Sequence, residues 1–184
     1  MNKILILGIL LCQAILLKAQ TFTGNITLST QTQVNNFLSS GNKYDTITGN
    51  LTLDGNGNSG TDLDANGGNF ITDLSNLSEL IFIGGNLTIR DFNVAGNPSN
   101  LNSLSSLTTI GNNFSLGVTN VNDYNSSFTS ISLSSLNSVS GSINIRNNNN
   151  LTSLIISTEF ANGTGAVNIL DNANLMIVDL GIIS

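Results

Sequence analysis

The sequence predicts an all-β-rich solenoid of about six coils, running through residues 21–184 behind a twenty-residue leader. Three observations lead there. A seven-residue motif recurs six times, apolar and polar residues alternate within it, and leucines recur at every third position between several copies. Repetition at a spacing of twenty to fifty residues is the mark of a fold whose units cannot bury a core alone and must stack to do so.

The motif reads apolar, any, Gly, polar, apolar, polar, apolar. Its copies are FTGNITL (22–28), ITGNLTL (47–53), IGGNLTI (83–89), IGNNFSL (110–116), VSGSINI (139–145) and a weaker GTGAVNI (163–169), and Asn112 replaces the Gly in the fourth. The starts at 22, 47, 83, 110, 139 and 163 are 25, 36, 27, 29 and 24 residues apart, one supersecondary unit per step. Within each copy the last three residues alternate as a half-buried strand requires. Leu51 and Leu53, Leu87 and Ile89, Phe114 and Leu116, and Ile143 and Ile145 are expected inside. Thr27, Thr52, Thr88, Ser115, Asn144 and Asn168 are expected to stack outside as one polar ladder. The Gly ahead of each strand permits a tight turn or a close backbone approach.

The segments LSNLSELIFI (74–83), LNSLSSLTTI (101–110) and ISLSSLNSV (131–139) precede three of the copies. A period of three suits a 3₁₀-like or polyproline-like coil better than a long helix, so these segments are expected to form another wall of each coil. Asn56, Asn148 and Asn172 each lie three residues beyond the second inward strand residue. Buried there, an Asn can bond turn backbone, and stacked copies form a ladder, which makes the run Asn147–Asn150 an ordered turn. About five buried apolar side chains per coil, at roughly 1.5–3 kcal/mol each, do not stabilise a coil alone, so stacking must supply the rest.

Composition limits the function. Charged residues are 9% of the chain, the net charge is −6, and there is no His and no Trp. Without His there is no Ser-His or Cys-His nucleophile, no imidazole base and no ordinary zinc site. Five Lys and Arg cannot neutralise a phosphate backbone, so nucleic acid is not an expected partner. Residues 1–20, MNKILILGILLCQAILLKAQ, read as a signal peptide: Lys3, an apolar run from Ile4 to Leu17 too short to span a bilayer, and Ala19 as the small residue for cleavage. Cys12 follows Leu11 rather than a small residue, which argues against lipidation. Removing the leader removes the single Cys and leaves three basic residues against eleven acidic ones, with no transmembrane segment. An extracellular or outer-cell-surface location is therefore expected.

The stretch ITDLSNLSELIFIGGNLTI (71–89) resembles the recurrent "LxxLxxLxxIGGNLxIxxN" segments of the receptor L-domain and leucine-rich-repeat-like proteins of bacterial cell surfaces. The opening 26–53 is similar to that family's N-terminal unit. The resemblance covers nearly all of the chain after the leader and implies an irregular leucine-rich-repeat-like, receptor L-domain-type right-handed β-helix. It also implies a short N-terminal capping helix at about Thr32–Leu38, inside a cap region of 21–45. Related proteins often carry a C-terminal sorting domain. This sequence stops at Leu180-Gly-Ile-Ile-Ser184 on apolar residues, so a missing C-terminal cap is expected.

The longest step contains DGNGNSGTDLDANGGNF (54–70), in which Asp62, Asp64 and Asn66, followed by Asp73, have the spacing of a calcium loop. Asp73 stands where that loop carries Glu, and Asn69 where it carries an apolar residue. Calcium is the one cofactor the sequence suggests; a solvated Gly/Asn/Asp loop is the alternative. N-x-S/T triplets begin at Asn25, Asn50, Asn76, Asn86, Asn113, Asn125, Asn150 and Asn162, and most arise from the repeat itself. Tyr44 and Tyr124 are the candidate sugar-stacking rings. A regular Thr face of the ice-binding kind begins at Thr27, Thr52 and Thr88 but decays to Ser115, Asn144 and Asn168.

Two functions follow as expectations. The first is a non-catalytic binding or adhesion module presenting solenoid faces and loops to a glycan or protein. The second, with a purely structural or truncated surface-protein fragment as the other alternative, is a polysaccharide-degrading β-helix enzyme, which needs convergent carboxylates. Arg90-Asp91 is the only local charge pair to support it, and a surface pair is the simpler reading.

Overall fold

A computed structural model of the chain describes residues 20–39, 44–56, 69–117, 124–157 and 165–181. It is a three-walled parallel β-solenoid. Each coil runs from a strand of the first wall, through a turn at the motif Gly, to a strand of the second wall, then along a third wall to the next coil. The first wall is a sheet of five parallel strands, β1 (Gln20–Phe22), β3 (Tyr44–Ile47), β5 (Phe82–Ile83), β7 (Thr109–Ile110) and β10 (Ser138–Val139). The second is a sheet of six, β2 (Ile26–Leu28), β4 (Leu51–Asp54), β6 (Leu87–Arg90), β8 (Phe114–Leu116), β11 (Ile143–Arg146) and β13 (Val167–Leu170). Each of the six motif copies supplies one second-wall strand, and six rungs enclose about five turns.

The third wall changes along the array. It opens with helix α1 (Gln31–Ser39), continues as 3₁₀ turns at Ser75–Leu77 and Asn102–Leu104, and ends as a three-stranded sheet of β9 (Ser130–Leu133), β12 (Ser153–Ile156) and β14 (Ile177–Asp179). These elements pack in sequence, α1 on the first 3₁₀ turn, that turn on the second, and the second on β9. The leucine period of three is what the 3₁₀ turns use: Leu77 N–H donates to Leu74 C=O at 2.8 Å, and Leu104 N–H to Leu101 C=O at 2.8 Å. Every leucine of the two runs is at most 1% exposed. The third run, 131–139, does not follow the expected coil. Its first residues form strand β9, because β-branched Ile131 in this coil and Ile155, Ile156, Ile177 and Val178 in the next two favour extended backbone over a 3₁₀ turn.

Helix α1 forms at the place implied by the resemblance. Thr30 and Gln33 make a reciprocal capping box: Gln33 N–H donates to Thr30 Oγ1 at 3.2 Å, while Gln33 Oε1 accepts the N–H groups of Ser29 and Thr30. Val34 and Phe37 face the core. Gln31 joins the helix to the third wall of the second coil, its Oε1 accepting Thr72 N–H at 2.7 Å and Asp73 N–H at 2.8 Å, its Nε2 donating to Asp73 C=O at 3.0 Å.

The expected inward residues, from Leu51 to Ile145, are all 0% exposed and belong to one continuous core. The motif glycines Gly49, Gly85, Gly141 and Gly165, and Gly111 beside the motif position, act by close approach to the adjacent coil, whereas Gly24 takes φ of 105° with open space around it. A methyl group at Gly111 would collide with the Gly84 carbonyl of the coil beside it. A second backbone requirement, absent from the sequence reading, falls just after the second-wall strands. Asp91, Asn147 and Asp171 occupy equivalent positions there with φ of 59°, 55° and 57°, and Gly117, one position earlier in its coil, has φ of 77°; Asn, Asp and Gly tolerate this left-handed backbone best.

Beyond Ile156 the apolar side chains are less covered: among the described residues, Leu170, Met176, Ile177 and Val178 are 46–79% exposed. No helix among the described residues is long and apolar enough to cross a membrane.

Candidate functional site

The outward face of the second wall carries the polar ladder in unbroken register. Thr27 pairs with Thr52, Thr52 with Thr88, Thr88 with Ser115, Ser115 with Asn144, and Asn144 with Asn168. Parallel strands lie roughly 4.8 Å apart, and same-face neighbours along a strand roughly 6.6 Å, so the face is a two-dimensional lattice of hydroxyls and amides. Asn168 Nδ2 donates to Asn144 Oδ1 at 2.9 Å, a bond along the ladder itself.

A second row flanks the first, two residues earlier on each strand, and it is one the sequence reading missed. Asn25 Oδ1 accepts Asn50 N–H at 2.8 Å, Asn50 Oδ1 accepts Asn86 N–H at 2.7 Å, Asn86 Oδ1 accepts Asn113 N–H at 3.0 Å, and Asn113 Oδ1 accepts Ser142 N–H at 2.8 Å. Each amide satisfies the strand-start donor of the next coil. The signal was present as the Asn or Ser that follows the motif Gly in four copies and as Asn113 after Asn112 in a fifth. It also accounts for the abundance of N-x-S/T triplets: Asn86 and Asn113 commit Nδ2 to the neighbouring Oδ1 at 3.0 Å, and Asn125 is fully buried.

A third row lies two residues after the ladder and carries the charge. Arg90 Nη2 meets Asp54 Oδ2 at 2.9 Å across β6 and β4, with Asp54 only 5% exposed at its side chain. The local Arg90-Asp91 surface pair is therefore corrected. Asp91 is 2% exposed in the left-handed turn, and Arg90 reaches its acid through sheet register, 36 residues back. Arg146 occupies the same row on β11, in register with Leu170 of β13.

The inner asparagine ladder exists in altered form. Asn148 Nδ2 donates to Asn172 Oδ1 at 2.9 Å, as the spacing predicted. Asn125, marked in the sequence only as the start of an N-x-S/T triplet, precedes them, donating from Nδ2 to Asn148 Oδ1 at 3.0 Å and accepting Phe92 N–H at 3.0 Å. Asn56 is buried in its own coil, where Asn97 Nδ2 bonds the Gly55 and Ile71 carbonyls.

Tyr44 is half-buried in a cluster with Phe22 and Phe37, its ring edge-on to Phe22 at 5.5 Å and tilted against Phe37 at 5.1 Å. The cluster lines a groove of about 360 Å³ between α1 and β2, with Ile26, Thr27, Leu28, Gln33 and Asn36. Tyr124 is 40% exposed. Of the calcium candidates, Asp62, Asp64 and Asn66 lie outside the described residues. Asp73 is exposed and caps the first 3₁₀ turn: Oδ2 accepts the Ser75 hydroxyl at 2.6 Å and Oδ1 the Ser75 N–H at 2.8 Å, and these bonds hold its carboxyl below its ordinary pKa. Among the described residues no three His, Cys, Asp or Glu side chains gather as a metal site.

Fold and site together define a parallel β-solenoid with one wall dressed in polar rows. No family model matches the chain, and no curated protein or solved structure matches it.

Proposed function

We propose that this chain is an exported, non-catalytic binding module of the cell surface or extracellular space, which takes an extended glycan along the outward face of its second wall. The observation that carries the reading is the six-rung ladder from Thr27 to Asn168. A linear polymer with hydroxyls at a regular interval is the ligand whose donors and acceptors such a lattice can meet many times over. Each contact is weak in water, and repetition along one rigid face multiplies it. The leader-like segment 1–20 and the resemblance to receptor L-domain surface proteins support export and a binding role. The absence of His from the sequence and the engagement of Asp54 by Arg90 support a site without catalytic chemistry.

The test is retention of the purified chain on arrayed glycans and matrix proteins, with mass spectrometry of anything released. Retention lost in a Thr52→Val, Thr88→Val double variant of unchanged melting temperature is the expected result. Cleaved product, or retention indifferent to those two residues, would refute the proposal.

A further inference from the structure

We propose that the glycan bound on the second wall is acidic, and that Arg146 is the residue that receives its carboxylates. The inference rests on the binding-face reading above and names the ligand class. The chain holds two arginines, and both stand in the same outer row of the same sheet, at the last residue of β6 and of β11. The burial pattern of both strands alternates buried and half-buried, which turns Arg90 and Arg146 to the same side as Thr88 and Asn144.

Their electrostatic situations differ. Arg90 is neutralised by Asp54 at 2.9 Å. Arg146 lies beside Leu170 in register, and among the described residues its guanidinium has no ion-pair or hydrogen-bond partner. Between the two arginines the row passes over Gly117, which follows β8 and carries no side chain. The cations thus lie two strand spacings, roughly 9.6 Å, apart, and among the described residues no side chain of that row stands between them. In a chain with eleven acids and five bases, an arginine with no acid partner among the described residues, beside rows of uncharged hydroxyls and amides, is a local positive site in an acidic molecule. A neutral glycan offers it only uncharged oxygens, which make weaker hydrogen bonds than a carboxylate does. A guanidinium presents a planar fork of donors that matches a carboxylate in two parallel hydrogen bonds. Ser115 and Asn144, in register on adjacent strands, lie within the same lattice to engage the ring hydroxyls of the sugar. The structure therefore assigns the face to a uronic-acid polysaccharide rather than a neutral one.

Isothermal titration of the purified chain with polygalacturonate, with its fully methyl-esterified form and with dextran sulfate, in chelator at low salt, decides the matter. The methyl ester keeps the backbone and removes the charge. The expected result is at least tenfold tighter binding of polygalacturonate than of its ester. Arg146→Gln should abolish that difference, Arg146→Lys should retain part of it, and neither should move the thermal midpoint. Equal affinity for acid and ester, an unaffected Arg146→Gln variant, tighter binding of dextran sulfate, or binding that appears only on adding calcium would each overturn the assignment while leaving a glycan-binding face in place. Failure to bind any glycan on the array or in the titration would overturn the binding-face reading itself.

Discussion

Replacing Asn148 with Ala tests how the coils are held together inside. The side chain is fully buried; its Nδ2 reaches Leu116 C=O at 3.1 Å, Arg146 C=O at 2.8 Å and Asn172 Oδ1 at 2.9 Å, and its Oδ1 accepts Asn125 Nδ2 at 3.0 Å. Truncation does not orphan all four partners. Asn172 Oδ1 keeps the Asn148 N–H at 3.0 Å, and Asn125 Nδ2 keeps Ile89 C=O at 3.3 Å. One or two buried groups are left unsatisfied at about 1–3 kcal/mol each, so the variant should lose about 2–4 kcal/mol. For a chain of this length that is a fall of about 5–15 °C in melting temperature. The control is Asn168→Ala, which removes an equally short amide–amide bond from the half-exposed outer ladder and should cost less than about 0.5 kcal/mol. Urea and thermal unfolding followed by circular dichroism measure both. An Asn148→Ala variant within 0.5 kcal/mol of the parent, or an Asn168→Ala variant as damaged as it, would refute the argument that burial makes the inner ladder costly to break.

Gly111→Ala should lose about 1–3 kcal/mol, because its Cβ meets the Gly84 backbone, which cannot step aside as a side chain can; a parent-like melting curve would show that the coils have slack there. Gln31→Ala should leave the core intact but release α1 from the second coil, read as amide exchange in 31–39 that is about tenfold faster with little change at Leu53 or Ile89. Leu104→Ala, at 0% exposure, should cost about 2–5 kcal/mol, whereas Met176→Ala, at 79% exposure, should be nearly silent in unfolding. The lowered pKa of Asp73 stabilises the fold above the ordinary carboxylate value of about 3.9, and that contribution is lost as pH falls through the depressed folded value. Asp73→Asn should flatten the acid limb of stability in that window, and a carboxyl titration by NMR at or above the ordinary value would contradict it.

The outer ladder was legible because strand alternation is a local rule. Once the motif copies are aligned, Thr27, Thr52, Thr88, Ser115, Asn144 and Asn168 have nowhere else to point, and parallel register brings them side by side. The third wall was legible in part for a similar reason, since a leucine at every third residue suits a three-residue turn, 3₁₀ or polyproline-like. Two of the three runs form 3₁₀ turns, while the third opens as strand β9. The Asn25–Asn113 row was written in the same motif. It was passed over because nothing local says that a polar residue after Gly will accept a donor from another coil.

What the sequence by itself determined, apart from the capping helix that the resemblance implied, is the coil: its repeat, its buried and outward positions and its glycines. Each follows from the covalent period of the chain and from which side chains leave water. What only the tertiary structure decided is how unequal coils meet. Asn125 joins the inner ladder although the spacing rule does not mark it, a third sheet forms where two leucine-rich turns precede it, and Arg90 turns to Asp54 rather than to its neighbour Asp91. Those outcomes depend on the lengths of the connections and on the register between strands 24 to 36 residues apart. Such distances are closed by the stacking of whole coils, and no local pattern records them.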